Sequence, residues 1–533
     1  MTKLQTAGLL TLLTVFLLLA TAGLWRATPT YDEARHFQYG EKILRLAPER
    51  DDATCDSKMP VSALNVLPWK IAKVLGLDSW LTNRAIQRYA GAHPTDEMVQ
   101  IITARVAIMP GKIVTIMAAL LLGWLVFTWA RELYGVHAGL VALAFYVFSP
   151  NILANANLVT VDLYAALSVT LALYCYWKFA NRGGGQWATG SALALAAGQL
   201  VKYTCLFLYP IFLLIAAVRV RNWRTGRALR LALLYVLVSV AVINVGFVFS
   251  GTGTPLAEYR FRSSLFQNIQ DRLAAVGFLP VPVPYPFLDG VDYVAYHEQT
   301  GINHGRVYLL GKLAPPGQGF PGYYFVATLF KAPLAVQILF WTALVIYVAR
   351  FRWERFVRDE VFLLVPIVFF AIYFNFFFRT QIGMRFFIVI FPLCHVFLSH
   401  LFQNWGDIGR ARKYVLAGLL GYQAISVVSY CPHFLAYFNE LVPDRKMAYR
   451  ILADSNLDWG QSRWYLERYR ATHPAAIFAP TNPVAGTIVV PVNDLVGITD
   501  PEKYRWLRDN FRPHATIAHS YLVFEVPPAA VPK

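Results

Sequence analysis

The sequence predicts a mainly α, polytopic membrane fold with a small α+β domain at its C-terminal end. Three observations predict it. The chain has 533 residues, of which 57% are hydrophobic and 15% aromatic, and a mean hydropathy of +0.44, too apolar for a soluble protein of this size. Its apolar residues gather in runs approaching the roughly 17 to 25 residues that a bilayer crossing needs. The tail from Pro432 onward lacks such runs and alternates instead, as strands do. The formal charge of +17 sits in short Arg clusters between the apolar runs, the mark of cytoplasmic loops rather than of a nucleic-acid binder. Five cysteines are scattered without CxxC or other ligand spacing, so a disulfide framework is not expected.

Taken in order, about eleven spans are expected, over 6–25, 106–130, 138–155, 162–180, 188–200, 204–218, 231–250, 322–349, 360–378, 385–402 and 414–431. The block 188–218 is divided at Lys202, because a charge at mid-membrane is costly and a hairpin brings it to the surface. The Arg-rich connections 219–230, 350–359 and 410–413 then share one side, which the positive-inside rule makes cytoplasmic. The other side receives the long segments 26–105 and 251–321 and the tail. Loops this long are seldom mere connectors. "ATA" at Ala20–Ala22 resembles a signal-peptidase site, but retention of the first span is expected, since cleavage would leave the remaining spans without their cytoplasmic start.

Two domains follow: a transmembrane unit over 1–431 that includes the outer loops 26–105 and 251–321, and an extracytoplasmic α+β domain over 432–533. Within the tail, 487–492 and 515–526 read as strands. Residues 500–511 read as a helix capped by Asp500. No internal repeat is evident.

The stretch "RATPTYDEARHFQYG" puts Asp32 and Glu33 side by side just outside the first span. Thr30 and Glu33 fit an S/T-x-x-E capping box that opens a helix along the membrane surface. The box needs Glu33 and leaves Asp32 to point elsewhere. Other charges recur at the same level: Asp162 in "NLVTVDLY", Lys202 in "QLVKYT", Arg379 and Arg385 in "FFFRTQIGMRFF", and Lys331 in "TLFKAPL". Each alone has a plain explanation, as a snorkelling cation or a helix cap. Together, on one face, they mark a candidate site.

No Walker A loop, no GxGxxG after a strand, no HExxH and no GxSxG elbow occurs, so nucleotide, zinc-protease and serine-hydrolase chemistry have no motif here. Cations at a membrane surface suit a phosphate, with Lys as a point charge and Arg as a fork. A phosphate at that depth belongs most naturally to a lipid.

Those same segments, with "TVDLYAALSVTLALYCYWKF", "GYYFVATLFKAPL", "GMRFFIVIFP" and the tail stretch "HFLAYFNELVPDRKMAYRILADSNLDWGQ", resemble the polytopic GT-C glycosyltransferases that use polyprenyl-phosphate sugars, such as protein O-mannosyltransferases and the aminoarabinose transferases of lipid A. The resemblance runs over 25–526, and "DSNLDWGQ" is its most specific element. It implies an inverting transfer of a sugar from a polyprenyl-phosphate carrier to a hydroxyl of a lipid, glycan or protein at the outer face of the inner membrane. It implies Asp32 as general base on the acceptor, with Glu33 entered beside it as a catalytic candidate, and Lys202 and Arg385 as ligands of the lipid phosphate. Because a prenyl phosphate leaves as a stable anion, one base and several cations suffice, where a glycosidase needs two carboxyls.

Asp162 is placed near the acceptor or paired with Lys202. Lys331, Arg379 and His304 join the substrate-binding candidates, and His297 shares the loop of His304. Asp454–Gln461 is expected to dock the tail on the membrane unit. No cofactor is expected; a divalent ion is not favoured, since Asp32, Glu33 and Asp162 make a thin ligand set for Mg or Mn. The tail differs from the sugar-binding repeat domain of eukaryotic protein mannosyltransferases, so the acceptor stays open. A transporter or flippase of lipid-linked sugars is the rival reading; it calls for polar groups at the bilayer midplane and for repeats. A membrane scaffold, with Asp32 as a mere cap, is the third.

Overall fold

A computed structural model describes residues 1–25, 27–51, 58–89, 95–219, 225–302 and 305–530. Among them, six helices are long and apolar enough to cross a membrane, or up to eight if each bent pair is one span. The chain is a multi-pass membrane protein. All eleven expected segments are helical, but not all qualify as spans by themselves. Gly185–Gly198 has only 14 residues, and Arg410–Val428 opens on a basic turn that dilutes its apolar content.

Two helix pairs are sharply bent. Val136–Val147 and Pro150–Ala156 meet at 66°, and Tyr323–Lys331 and Leu334–Ala349 at 120°. The second bend falls where Pro333 lacks an amide hydrogen and pushes Ala332 out of the helical region, to φ −95 and ψ 140. Lys331 thereby ends its helix inside the protein, 2% exposed.

The connections expected on the cytoplasmic side do gather at one end of the bundle. Arg219 donates to the carbonyls of Val357, Arg358 and Ala180, while Trp405 stacks on His137 and receives Lys413 over its ring. The charged candidates Asp32, Asp162, Lys202 and Arg385 lie at the opposite end, with the tail.

In the tail, strands β3 (Ile477–Phe478), β4 (Gly486–Pro491), β5 (Ala515–Ile517) and β6 (Tyr521–Val526) form one sheet in the order β3-β4-β6-β5. A separate hairpin of β1 (Val307–Leu309) and β2 (Lys312–Ala314) lies in the segment 251–321 and had no signal strong enough to predict it. The expected single strand 515–526 is two strands, because Ala518 and His519 take positive φ of 49 and 61 and turn the chain back. The expected helix 500–511 narrows to Arg505–Asn510, and Asp500 Oδ1 accepts the Glu502 amide instead of capping a full helix.

The tail is bolted to the membrane unit. Arg463 pairs with Glu97 at the start of the long helix Asp96–Tyr134, the Thr28 amide donates to Gln461 O at 2.9 Å, and the Leu310 amide to Ile451 O at 2.8 Å. Asp454–Gln461 sits at this junction, as expected.

Candidate active site

The helix Tyr31–Leu44 places the two acids of the first loop. Its N-terminus is fixed by Glu33, whose Oε2 accepts the Thr30 amide at 2.7 Å, one half of the expected capping box. The Thr30 hydroxyl is buried without a hydrogen bond among the described residues. Glu33 Oε1 accepts the Val159 amide at 2.8 Å and lies 3.2 Å from Lys112 Nζ, in a fully buried pair. Both oxygens of Glu33 are thus engaged by the scaffold and turned from Asp32. Gly40, one face along, lets the helix touch Ser62–Val74; a Cβ there would lie 2.5 Å from the Ser62 carbonyl oxygen.

Asp32 faces the other way. Its Oδ2 accepts from Arg385 Nη1 at 2.6 Å, and the two side chains retain 21% and 11% exposure. Beside this pair is a second one, Lys202 Nζ to Asp162 Oδ1 at 2.5 Å, almost fully buried. The ring of Phe386 joins them, with Lys202 Nζ at 4.2 Å and the Arg385 guanidinium carbon at 4.9 Å from its centroid. Asp162 therefore pairs with Lys202, one of the two placements expected for it. Lys202 does fall in a break between helices, just before Tyr203–Phe207, as the division of block 188–218 required, but it turns inward to a carboxylate and not out to the surface.

Lys58 and His36 complete the cluster. Both are buried, and both lie within electrostatic reach of Asp32. Burial by itself would raise the Asp32 carboxyl; the Arg385 guanidinium and the Lys58 ammonium outweigh it and hold the group well below the usual carboxylate range. His36 is pushed down to about 3, first by burial and then by Lys58, and is neutral. Sequence reasoning missed both. The one hint was a lone cation in the acidic stretch "DDATCDSKMP".

The "DSNLDWGQ" segment enters the site itself, beyond its expected docking role. Trp459 lies with its ring centroid 4.0 Å from the Arg385 guanidinium carbon, a stack that orients a planar cation. The segment is laced to the 382–385 loop: Ser455 Oγ donates to Ile382 O at 2.6 Å, and the Met384 amide donates to Asn456 Oδ1 at 3.1 Å. Gly383 permits this approach, since a Cβ would lie 2.1 Å from Ser455 Oγ. Asp454 takes φ 56 at the edge of the cluster, within reach of Arg385 and Asp32.

The remaining candidates lie elsewhere. Lys331 Nζ donates to Leu435 O at 2.6 Å and Asn456 O at 2.7 Å, so it ties the Asp454–Gln461 segment down and does not reach Asp32. The Arg379 side chain is exposed, and its amide donates to Glu298 Oε2 at 2.8 Å. His297 is buried against the Tyr293 ring at 4.2 Å. His304 lies outside the described residues.

The arrangement holds an ionised carboxylate, a guanidinium stacked on an indole, and two further buried ammonium groups at one end of a membrane bundle. It can accept a proton and bind an anion side by side.

Residues 100–245 match the family model described as dolichyl-phosphate-mannose-protein mannosyltransferase. No curated protein matches the chain. Among solved structures, the crystal structure of ArnT from Cupriavidus metallidurans bound to undecaprenyl phosphate is similar over 99% of this chain and 99% of its own, at 11% identity and a TM-score of 0.47. The oligosaccharyltransferase of Archaeoglobus fulgidus in its apo form is similar over 80% of this chain and 54% of its own, at 12% identity and a TM-score of 0.45.

Proposed function

We propose that this chain is a membrane glycosyltransferase of the GT-C class, which moves a sugar from a polyprenyl-phosphate carrier to a hydroxyl acceptor on the extracytoplasmic face of the inner membrane. The family match over residues 100–245 supports the donor class. The observation that carries the reading is the pair of ion pairs, Asp32–Arg385 and Asp162–Lys202, that share the Phe386 ring.

In this reading Asp32 is the general base and Glu33 holds its helix. Arg385, Lys202 and Lys58 bind the donor phosphate. A phosphate entering the cluster competes with Asp32 for Arg385; a guanidinium forks as readily onto a phosphate as onto a carboxylate. Losing that partner frees the Asp32 carboxylate and raises its basicity. The acceptor oxygen then attacks the anomeric carbon while its proton passes to Asp32. The bond from that carbon to the phosphate oxygen breaks, its electron pair stays on the phosphate, and the configuration inverts. The cations take the charge that develops on the leaving group, so the reading assigns no step to a metal or cofactor. A transporter would place such groups at the bilayer midplane, whereas these gather at one end of the bundle.

Mass spectrometry of lipid extracts tests the reading. Cells lacking the protein should accumulate a prenyl-phosphate sugar, which wild-type protein clears and Asp32→Asn does not. An unchanged lipid profile overturns it.

A further inference from the structure

Asp454 is used by nothing in that mechanism, yet it is among the most firmly placed acids of the chain. A residue with a Cβ at φ 56 sits in the left-handed region, which such a residue adopts only where the surroundings hold it there. Here they do. The Asp454 amide donates to Asn493 Oδ1 at 2.8 Å, its Oδ1 accepts the Ser455 amide at 2.6 Å, and its carbonyl accepts the Leu457 and Asp458 amides at 2.9 Å. Asn456, two residues on, is clamped by Lys331 and by Tyr323.

That lacing uses one carboxylate oxygen and leaves the other. Oδ2 makes no hydrogen bond among the described residues, and Asp454 keeps partial exposure although the residues on both sides are buried. It belongs to a group facing Arg385 and Asp32, pushed up to about 7 by burial against the pull of the Ser455 amide and Arg385. A carboxyl with that balance both donates to and accepts from a hydroxyl near neutral pH.

We propose that Asp454 is the sugar-recognition residue of the site: its Oδ2 holds a hydroxyl of the sugar carried by the donor. This rests on the reading of the chain as a polyprenyl-phosphate-sugar transferase. The direction follows from the layout. A donor has its prenyl chain in the bilayer, its phosphate on Arg385 and Lys202, and its sugar beyond the phosphate, on the side of the tail. Asp454 is the acid that the tail presents there, anchored through Asn493 of the segment Val492–Val496. The acceptor is left to Asp32, the acid that pairs with Arg385 directly.

The test measures equilibrium binding of undecaprenyl phosphate and of its mannosyl, glucosyl and xylosyl esters to the full-length chain in lipid nanodiscs. Wild type should prefer one glycosyl lipid over the poorest by tenfold or more. Asp454→Gly, which suits the left-handed backbone and removes the carboxyl, should shrink that preference to within twofold while binding of undecaprenyl phosphate is not weakened. Asp454→Asn, which also tolerates this φ, should lose at least half of the preference on a logarithmic scale, and it carries the test if the Gly variant does not fold. Sugar preference retained in both variants overturns the assignment and leaves the transferase reading standing. A preference retained with turnover lowered a hundredfold makes Asp454 part of the reaction rather than of recognition, and overturns it as well. Failure of wild type to bind any glycosyl lipid removes the transferase reading and this inference with it.

Discussion

Arg385 donates to Asp32 at 2.6 Å across 353 positions of sequence, and the same guanidinium stacks on Trp459 from the tail. Three distant segments therefore meet on one cation: the helix Tyr31–Leu44, the first turn of Met384–Phe402, and the stretch Asp454–Gln461 of the tail. A site assembled this way is complete only when the tail is docked.

Asp32→Asn keeps the size and one acceptor oxygen of the side chain but removes the base. Turnover should fall by about 10²–10⁴-fold, the usual contribution of a positioned general base, in a protein that still folds but melts lower, because Arg385 and Lys58 lose the carboxylate they face. Steady-state turnover with a glycosyl lipid, alongside a melting curve, checks it. Unaltered turnover removes Asp32 from the reaction.

Arg385→Lys keeps the charge and loses both the fork and the flat face on Trp459. We expect KM for the glycosyl lipid to rise and kcat to fall, each by about tenfold, since Lys presents a point charge where Arg presents a plane. Kinetics close to wild type would show that charge alone matters at this position.

Glu33→Gln separates the two neighbouring acids. It leaves the buried Lys112 ammonium without its partner, and breaking a buried pair from one side costs about 3–5 kcal/mol. The melting temperature should drop by several degrees while the turnover of folded protein is kept. The reverse result, a stable protein without turnover, would make Glu33 a reacting group.

Stability should also depend on pH through the tail segment. The Asp454 carboxyl is raised from 3.8 to about 7 and that of Asp458 from 3.8 to about 6, both chiefly by burial. Each binds its proton more tightly folded than unfolded, so the stability this confers is fully present below the unfolded value and is lost as pH rises through the folded one. The contribution of these two acids therefore falls between about pH 4 and about pH 7, against the opposite one of His36, pushed down from 6.5 to about 3, and Asp454→Asn should make the slope of melting temperature against pH more positive than in wild type over that window. A slope unchanged in the variant would assign the dependence to other groups.

Much of this molecule was legible as sequence. Length and apolarity of runs report directly on the bilayer, so every expected segment is helical, although 138–155 and 322–349, each read as one span, are each two helices. Asp32, Lys202 and Arg385 were legible as charges set among apolar residues, where a charge without a partner is expensive. What the sequence could not divide was the pair Asp32 and Glu33. Adjacent residues on a helix point roughly 100° apart, so one turned to the site and the other to Lys112 and the Val159 amide. Only packing decided which. Packing also withdrew Lys331 to the backbone of the tail, left Arg379 at the surface, and brought in Lys58, His36 and the "DSNLDWGQ" segment. Their roles depend on contacts across hundreds of residues, and a local pattern carries no record of what lies opposite it. The sequence by itself determined a membrane bundle with acids and cations at one end. The tertiary structure decided which of them share a site, because a hydrogen bond of under 3 Å is a property of two positions in space, set by how the helices and the tail close on one another.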